Sequence, residues 1–336
     1  MHSLVTGGAG FIGSHVVDHL IQSGQQVTVA DDLSGGYRGN VNSAASFVRA
    51  DMSQIDAVDA LFRANHFDRV YHLAAYAAEG LSHFIKRFNY TNNLISSVNL
   101  INASVRSSSV KCFVFTSSIA VYGEQQSPIS EETTPLPEDP YGIAKYAVEL
   151  DLAEASAMFG LRYVVFRPHN VYGERQNLAD PFRNVVGIFI RQALCDQPFT
   201  IFGDGTQTRG FSHISDVAPI IAAAPDNPLA INQVVNVGAD APLTVNHIAQ
   251  LVAKHMGVPY RAKYLPARRE ARHAFCSHEK AGRVFGRTAA VAAEDGIARM
   301  CAWARETGIP ALPALIPLEV EQGLPAAWAQ RYSVTV

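Results

Sequence analysis

The sequence predicts an α/β fold with a doubly wound parallel sheet, because short apolar runs alternate with longer stretches of helical period. Residues 14–23 and 92–104 have the helical period, and the runs between such stretches are rich in β-branched and aromatic residues. Parallel strands joined by right-handed helical crossovers produce this alternation. The predicted strands are residues 4–6, 27–29, 47–48, 70–73, 112–115 and 163–166.

The pattern changes after about residue 168, where proline and glycine become frequent and strands become sparse. A chain of 336 residues is long for one compact core and about right for two lobes. One more strand is predicted at 233–237, so we expect the lobes to interleave. The first lobe is predicted to contain residues 1–168, and the chain is predicted to return to it at about residues 210–238. The smaller lobe is predicted to contain residues 169–209 and 239–330.

Composition and charge exclude several classes of function. Hydrophobic residues make up 48% of the chain and charged residues 17%, as in soluble globular proteins. The net charge of −3 offers no basic surface to nucleic acid and no polybasic stretch to a membrane. The four cysteines lie far apart without metal-ligand spacing. We therefore expect no bound metal. Because there is no bilayer-spanning run and no room for a secretory signal before residue 5, we also expect a cytoplasmic protein.

A glycine-rich sequence, GGAGFIG at residues 7–13, directly follows the first predicted strand and precedes a helical stretch. Glycine at positions 7, 10 and 13 permits a tight turn, close approach of the backbone to a pyrophosphate, and tight helix–strand packing. The N–H groups at the start of the helix would then bind the phosphates. Three glycines alone are weak support. Together with the flanking elements and a later acidic residue, they predict a Rossmann-type dinucleotide-binding lobe.

The acidic residue is Asp31, at the end of the second predicted strand and about twenty residues after the loop. Its carboxylate would accept hydrogen bonds from the adenosine ribose and repel a 2′-phosphate, which favours NAD over NADP. The alternative interpretation is that Asp31 only forms a turn before Asp32. Arg38 lies close enough in the sequence to weaken the prediction of NAD over NADP. The predicted NAD contacts in this lobe are Gly7, Gly10, Phe11, Ile12, Gly13, Asp31, Asp32, Asp51, Met52, Leu73, Ala74, Ala75, Thr116 and Pro168.

Tyr141 and Lys145 are four residues apart at a predicted helix start, so they share one helix face. A phenol titrates near pH 10, and a neighbouring ammonium together with an oxidised nicotinamide would lower its pKa. The lysine can also hold the nicotinamide ribose, and a pair on the protein surface is the alternative. Ser118 ends the fifth predicted strand, where ligands bind in such sheets and a hydroxyl can relay a proton. The three residues predict a site that oxidises a hydroxyl group.

The motifs TGGAGFIG, FTSSIAVYG and PYGIAK occur in that order at residues 6–13, 115–123 and 140–145. With them the chain resembles the extended short-chain dehydrogenase/reductase family, and within it the sugar-nucleotide epimerases typified by UDP-glucose 4-epimerase. The resemblance runs from residue 3 to about residue 290. It implies tightly held NAD, a catalytic triad of Ser118, Tyr141 and Lys145, and a second lobe that grips a nucleotide diphosphate.

The resemblance also carries over further residues. Asn93 matches a helix start that supports the central strands, and it is expected to contact NAD. Asn170 lies in the substrate loop RPHNVYG, and Phe202 and Arg209 flank the segment that meets base and phosphate. A planar guanidinium suits phosphate. One of Arg268, Arg269 and Arg272 is expected to be a second diphosphate ligand. The expected substrate contacts are Glu79, Ser118, His169, Asn170, Asn184, Phe202, Arg209, Arg268, Arg269 and Arg272, with His169 alternatively a packed loop histidine.

Departures from the family pattern narrow the chemistry. Related 4,6-dehydratases carry an Asp-Glu pair where this chain has Ile119 and Ala120, and the related 3,5-epimerase of GDP-mannose uses a Cys in place of Ala120. Neither route is therefore expected. His169, Glu79 and residues 174–184 differ from the commonest residues of the 4-epimerases, which suggests a substrate other than ordinary UDP-glucose.

The reaction we expect is inversion at C4 of a nucleotide-diphosphate sugar through a transient 4-keto intermediate, with Tyr141 as the base. The substrate expected first is a UDP-hexose or a UDP-uronic acid. The alternative is epimerisation at another carbon of an ADP- or GDP-linked sugar, including a heptose. A net keto-sugar-nucleotide reductase and a non-catalytic NAD-sensing module are the alternatives. The family resemblance also implies a homodimer. Apolar positions that fit such an interface, or burial within one subunit, are Ala144, Ala147, Val148 and Leu152.

Overall fold

The computed structural model describes residues 1–268, 271–286, 291–311 and 314–333. Fourteen strands occur in these residues. The strands are β1 (His2–Thr6), β2 (Gln26–Asp31), β3 (Ser46–Arg49), β4 (Arg69–His72), β5 (Cys112–Thr116), β6 (Tyr163–Pro168), β7 (Val171–Tyr172), β8 (Phe199–Phe202), β9 (Thr208–Gly210), β10 (Ser212–His213), β11 (Gln233–Val237), β12 (Pro242–Thr244), β13 (Ala262–Leu265) and β14 (His273–Ala274).

Twelve α-helices lie between or after these strands in the same described ranges. Short 3₁₀ turns and one π-helical turn, Thr91–Ile95, complete the regular structure. The helices are α1 (Phe11–Gln22), α2 (Ile55–Ala64), α3 (Glu79–Ser82), α4 (Lys86–Tyr90), α5 (Ser96–Ser107), α6 (Pro140–Phe159), α7 (Val185–Leu194), α8 (Ile214–Ala223), α9 (Val245–Met256), α10 (Glu279–Phe285), α11 (Ala293–Thr307) and α12 (Ala326–Ser333).

The central sheet has seven parallel strands in the order β11-β6-β5-β4-β1-β2-β3. The chain builds outward from β1 to β3 and then crosses back to add β4, β5, β6 and β11 on the other side, which is a doubly wound topology. All six strands predicted in the first half are present, and the run at 233–237 joins the sheet beside β6. The predicted fold class is confirmed. Because the strands are parallel, their carboxyl ends meet at one edge.

Side chains alternate between the two faces of this sheet, as the period of two requires. Val5 and Val29 point into a core that includes Val17 of α1 and Ile221 of α8. Their neighbours Leu4 and Ala30 point into a second core, with residues of α2, α5 and α6. Both faces are thus covered by helices, which is why the strands read as continuous apolar runs rather than as alternating ones.

The smaller lobe is built on α7, α9 and α11, whose apolar faces form a third core around residues such as Phe189, Ile248 and Met300. Small sheets flank it, with orders β12-β9-β14 and β13-β8. These strands have two to four residues, which is why hydrophobic periodicity did not reveal them. Throughout the described ranges, every helix is too short or too polar to span a bilayer.

Candidate active site

A cleft of about 1820 Å³ opens at the carboxyl-terminal edge of the central sheet, between that sheet and the smaller lobe. Ligands bind at this edge in open α/β sheets, because the strand-to-helix loops converge there. Most of the sequence-predicted site residues line the cleft. They are Gly7, Gly10, Phe11, Ile12, Gly13, Asp31, Asp32, Asp51, Met52, Leu73, Ala74, Ala75, Glu79, Thr116, Ser118, Tyr141, Lys145, Pro168, His169, Asn170, Asn184, Phe202, Arg209 and Arg268.

The glycine loop forms one wall of the cleft between β1 and α1. Gly7 has a φ of +71°, and a Cβ there would lie 2.6 Å from the backbone nitrogen of Ala74, so only glycine fits between the two strand ends. Helix α1 begins after Gly10, and no side chain of the described residues caps it. Its first N–H groups are therefore available to an anion such as a pyrophosphate. The loop fits a dinucleotide.

Asp31 ends β2 beside this loop and is 7% exposed. Its Oδ2 accepts a hydrogen bond from the N–H of Ala9 at 3.0 Å, and its Oδ1 accepts one from Leu33 at 2.8 Å. Burial raises the pKa of Asp31, while these backbone N–H groups act in the opposite direction. The carboxylate thus also ties the glycine loop to the second strand. Arg38 packs 4.6 Å from the centroid of the Phe47 ring and does not line the cleft.

Helix α6 carries Tyr141 and Lys145 on its first turn and a half. It begins at Pro140 after Asp139, whose carboxylate accepts a hydrogen bond from the N–H of Gly142 at 2.9 Å. A proline at the first position and an aspartate cap stabilise this helix start. Tyr141 is 5% exposed and Lys145 is 2% exposed. The Lys145 ammonium donates a hydrogen bond to the carbonyl oxygen of Thr116 at 2.9 Å, which links α6 to the end of β5.

Burial dominates the titration of both groups. It raises the pKa of Tyr141, the negative charge of Glu79 raises it further, and a hydrogen bond with Ser118 lowers it. Burial lowers the pKa of Lys145 to about 7, against the opposing charge of Glu149. The expected lowering of the phenol's pKa involves an oxidised nicotinamide as well as the ammonium, so it stays a prediction for the NAD-bound protein.

Behind Lys145 lies a buried ion pair that sequence reasoning missed. Glu149 is one turn after Lys145 on α6, and Arg167 of β6 donates from its Nε to the Glu149 carboxylate at 3.0 Å. Both side chains are 4% exposed. The hydroxyl of Ser117 also donates to Glu149, and the Arg167 guanidinium packs 4.6 Å from the centroid of the Tyr122 ring. The negative charge of Glu149 thus favours the charged form of Lys145.

On the side of the smaller lobe, Asn184 caps α7 with its Oδ1, which accepts a hydrogen bond from the N–H of Val186 at 2.9 Å. Arg209 donates from Nη1 to the carbonyl oxygens of Thr208 and Arg272, at 2.9 and 3.1 Å. The Arg268 guanidinium lies 4.2 Å from the centroid of the Phe202 ring. Two guanidinium groups and an aromatic ring therefore share this end of the cleft.

His169 lines the cleft but is only 2% exposed. Its Nδ1 lies 2.9 Å from the carbonyl oxygen of Gly210, and its Nε2 lies 2.9 Å from Nε2 of His278. The two imidazoles stack, and Nδ1 of His278 lies 2.6 Å from the Asp240 carboxylate. Burial and the positive charge of His278 lower the pKa of His169 to about 3. Both ring nitrogens are engaged within the protein, as in a packed loop histidine.

Two predicted site residues within the described part of the chain, Asn93 and Arg272, do not line the cleft. Asn93 is 1% exposed and holds the backbone of Tyr76 through both its amide atoms, so it supports the loop after β4. Arg272 extends to the surface, where it contacts Thr206 and Asp204. Arg269 lies outside the described residues.

Other residues in the cleft were not predicted. Arg183 packs its guanidinium 4.7 Å from the centroid of the Tyr76 ring and pairs with Asp180 at 2.8 Å. Its charge acts to lower the pKa of Tyr141. Asp139 could have been found from the Asp-Pro sequence at a predicted helix start. Trp328 lies beyond the reach of the family resemblance, and the sequence around it offered no signal. No group of His, Cys, Asp and Glu in the described ranges could hold a metal ion.

Comparison with known families matches residues 3–238 to the family described as "NAD dependent epimerase/dehydratase family". The chain belongs to this family. The UDP-glucose 4-epimerase of Mycolicibacterium smegmatis is 34% identical over 309 residues, which cover 89% of this chain and 97% of that relative. The predicted family is confirmed, and the protein is an NAD-dependent enzyme of the epimerase type.

Solved structures of epimerases superpose on this one over most of its length. UDP-glucose 4-epimerase of Thermotoga maritima, solved with UDP-glucose, gives a TM-score of 0.87 at 35% identity over 91% of this chain and 99% of that one. UDP-glucose 4-epimerase of Thermus thermophilus, solved with NAD, gives a TM-score of 0.84 at 32% identity over the same shares. The neighbours are matched almost completely, so this epimerase carries additional residues that they lack.

Proposed function

We propose that the protein inverts C4 of a nucleotide-diphosphate sugar without net oxidation. One observation carries the proposal: Tyr141, hydrogen-bonded to Ser118, sits in the same cleft as the glycine loop and the Arg209–Arg268 end. A sugar held by its diphosphate at the arginine end would place its ring near the phenol. Relatives that act on UDP-glucose share the fold over nearly their whole length.

In this mechanism, each of the three residues has one task. Bound NAD supplies a reversible acceptor for the hydrogen on C4. Tyr141 takes the proton of the C4 hydroxyl, and Ser118 bridges that hydroxyl and the phenol as a relay. Lys145, anchored to Thr116, holds the nicotinamide ribose and favours the phenolate by its charge. The three tasks are assigned from the position of these side chains in the cleft and from the family resemblance.

Binding of the substrate's diphosphate by arginine side chains lets the sugar ring turn without leaving the site. Binding energy from a remote group holds the substrate while the reacting ring reorients. Arg209 and Arg268 both line the cleft, and a guanidinium can bind two phosphate oxygens at once. Of the candidates for the second arginine, Arg268 is the one we assign, because Arg272 points to the surface and contributes its backbone to Arg209.

The positions after Ser118 support inversion rather than dehydration. Ile119 and Ala120 line the cleft beside the proposed base. An elimination of water needs an acid there, and neither side chain has one. The chemistry we assign needs a base at the C4 hydroxyl, which is Tyr141, and NAD would accept and return the hydrogen on C4, so no acid for the elimination of water is required.

A panel of sugar nucleotides tests the proposal. The purified protein is incubated separately with UDP-glucose, UDP-glucuronic acid and ADP- and GDP-linked sugars, and C4 configuration is followed by proton NMR. We expect a UDP-hexose or UDP-uronic acid to reach an equilibrium of the two C4 epimers. Stoichiometric accumulation of reduced cofactor would instead indicate a net oxidoreductase. No turnover with any sugar, despite bound NAD, would indicate a sensing module.

We also propose that two copies associate through the outer faces of α5 and α6. Ala144, Val148 and Leu152, which fitted an interface or a core equally, are fully or almost fully buried within the subunit. Exposed apolar residues of α6 include Ile143 and Leu150, which are 43% and 52% exposed. Exposed apolar side chains in register on one helix face are typical of interfaces. A mass near one chain in light scattering would contradict the dimer.

A further inference from the structure

The segment of residues 314–333 lies along the arginine end of the cleft. Its helix α12 contributes Trp328 and Arg331 to the cleft lining, and Trp328 is 6% exposed. The indole packs edge-on against the rings of Phe84, Phe182 and Phe202, with centroids 5.4 to 6.4 Å apart. Phe84 belongs to the first lobe, whereas Phe182 and Phe202 belong to the second. The segment therefore bridges the two lobes across the substrate end of the cleft.

Specific backbone contacts hold the segment in place. The Glu319 carboxylate accepts hydrogen bonds from the N–H groups of Arg87 and Phe88, at 2.7 and 2.9 Å, at the start of α4. The N–H groups of Glu319 and Val320 donate to the carbonyl oxygen of Phe84. A carboxylate at a helix start is favourable because the first N–H groups there lack partners within the helix. The segment is thus anchored on the first lobe just before it reaches the cleft.

The first lobe is shaped to receive the indole. A Cβ at Gly80 would lie 2.9 Å from Cη2 of Trp328, closer than real Cβ contacts come. The ring therefore lies directly on the backbone at Gly80, next to Glu79 in the cleft wall. A larger residue at position 80 would displace the ring.

Trp328 reaches the arginine that we assign to the diphosphate. The Arg268 guanidinium lies 4.2 Å from the Phe202 centroid and 5.5 Å from the Trp328 centroid, so two rings hold it. Cation–π contacts of this kind are worth most where solvent is excluded. An arginine already held in place loses less conformational freedom when a phosphate binds. Arg331 and Arg191 also line this wall, which adds positive charge facing an anionic ligand.

We propose that residues 314–333 form a wall of the substrate site and that Trp328 is a positioning residue that holds Arg268 toward the diphosphate of the substrate. This inference rests on the proposed function, because it takes a nucleoside diphosphate as the bound group. It adds a binding element beyond about residue 290, where the family resemblance ends. The segment acts on affinity for the nucleotide and not on the proton transfer at Tyr141.

Tryptophan fluorescence gives a direct test, because the chain has only two tryptophans. Trp303 packs against the core of the smaller lobe and does not line the cleft, so Trp303→Phe is the matched control. UDP, and separately ADP and GDP, are titrated into the NAD-loaded protein. We expect one of them to change the emission of the wild type and of Trp303→Phe, and to leave that of Trp328→Phe unchanged.

Affinity then tests the positioning role. By calorimetry, Trp328→Ala should weaken binding of the same nucleotide about tenfold, and Trp328→Phe should restore most of the loss. In an Arg268→Ala background, Trp328→Ala should have no further effect, because the tryptophan acts through the arginine. With the substrate found in the panel, KM should rise more than kcat falls.

The outcomes separate the two proposals. If the wild type binds none of the three nucleotides, the proposed function itself is wrong. If the wild type binds one and Trp328→Ala binds it equally well, or if the two substitutions are additive, the positioning role is wrong. Should Trp328→Ala fail to fold, as judged by thermal unfolding and NAD binding, the comparison of emission from Trp303→Phe and Trp328→Phe still decides whether residues 314–333 form a wall of the nucleotide site.

Discussion

The Nζ atom of Lys145 lies 5.8 Å from the centroid of the Tyr141 ring and donates its hydrogen bond to the carbonyl oxygen of Thr116, not to the phenol. The two side chains share one helix face and are both buried, so neither is solvated by water in its charged form. Burial raises the pKa of the phenol and lowers that of the lysine to about 7. The protein therefore keeps this pair at a cost to its own folding, as is common for catalytic groups.

Replacing Tyr141 by Phe should lower kcat by roughly a thousandfold or more, because the variant lacks the phenolic oxygen that accepts the proton of the C4 hydroxyl. The ring and its packing remain, so NAD and nucleotide binding should stay near wild type. Steady-state kinetics and calorimetry check the two statements. Turnover within about tenfold of wild type would remove Tyr141 from the mechanism.

Replacing Lys145 by Met should abolish most activity and yet raise the stability of the fold near pH 7. The folded-state pKa of Lys145, about 7, lies below the ordinary value of 10.5, so the unfolded chain binds the extra proton between these limits. The wild type therefore gains stability as pH rises from about 7 to 10.5, and the variant does not.

At pH 7 and without added nucleotide, we expect the free energy of unfolding of Lys145→Met to exceed that of the wild type by about 2 kcal/mol or more. This difference should shrink toward pH 10. Urea unfolding at several pH values measures it. An advantage that stays constant or grows with pH would contradict the assigned desolvation of the lysine.

Replacing Glu149 by Gln should destabilise the protein by about 3 to 5 kcal/mol, because it leaves the buried Arg167 guanidinium without its carboxylate. The Lys145 ammonium loses the same compensating charge, so its pKa should fall further. The matched control is Glu294→Gln, which breaks an exposed pair with Lys254 and should have no comparable effect. Equal effects of the two substitutions would show that the buried pair is not structurally important.

His169 should make the fold sensitive to acid. Its pKa in the folded protein is lowered to about 3 by burial, against 6.5 in the unfolded chain, so stability is lost as pH falls below 6.5. Between pH 7 and pH 5 this single group should contribute a loss of about 2 kcal/mol. In His169→Gln that contribution disappears, and the stability–pH curve should be correspondingly flatter.

The control for His169 is His247→Gln, which changes an exposed histidine on α9. Because this side chain is exposed, the substitution should leave the free energy of unfolding at pH 7 near that of the wild type. An unchanged slope in His169→Gln would show that the ring is protonated in the folded protein at pH 5.

The elements that sequence reasoning predicted are those whose signal is local. Glycine spacing predicted the loop at Gly7, apolar runs predicted the seven sheet strands, and an interval of four residues placed Tyr141 beside Lys145. The Glu149–Arg167 pair joins α6 to β6, and only the packing of one on the other brings the charges together. The pKa of Tyr141 follows from burial, which spacing does not reveal.

The position of Trp328 was also beyond prediction. It depends on the distant contact of Glu319 with α4 and on the space left above Gly80. The three candidate arginines at 268, 269 and 272 could not be ranked by sequence because the register of the motif is shifted. The structure separates Arg268 from Arg272 because the rings of Phe202 and Trp328 hold the first in the cleft.

The central claim is that the hydrogen on C4 leaves and returns within one turnover. The most direct measurement uses the sugar nucleotide identified in the panel, labelled with deuterium at C4, in ordinary water. NMR of both epimers should show the label retained at C4, while the absorbance of reduced cofactor stays at its starting level. Loss of the label to water, or a steady rise in reduced cofactor matching product, would contradict the account.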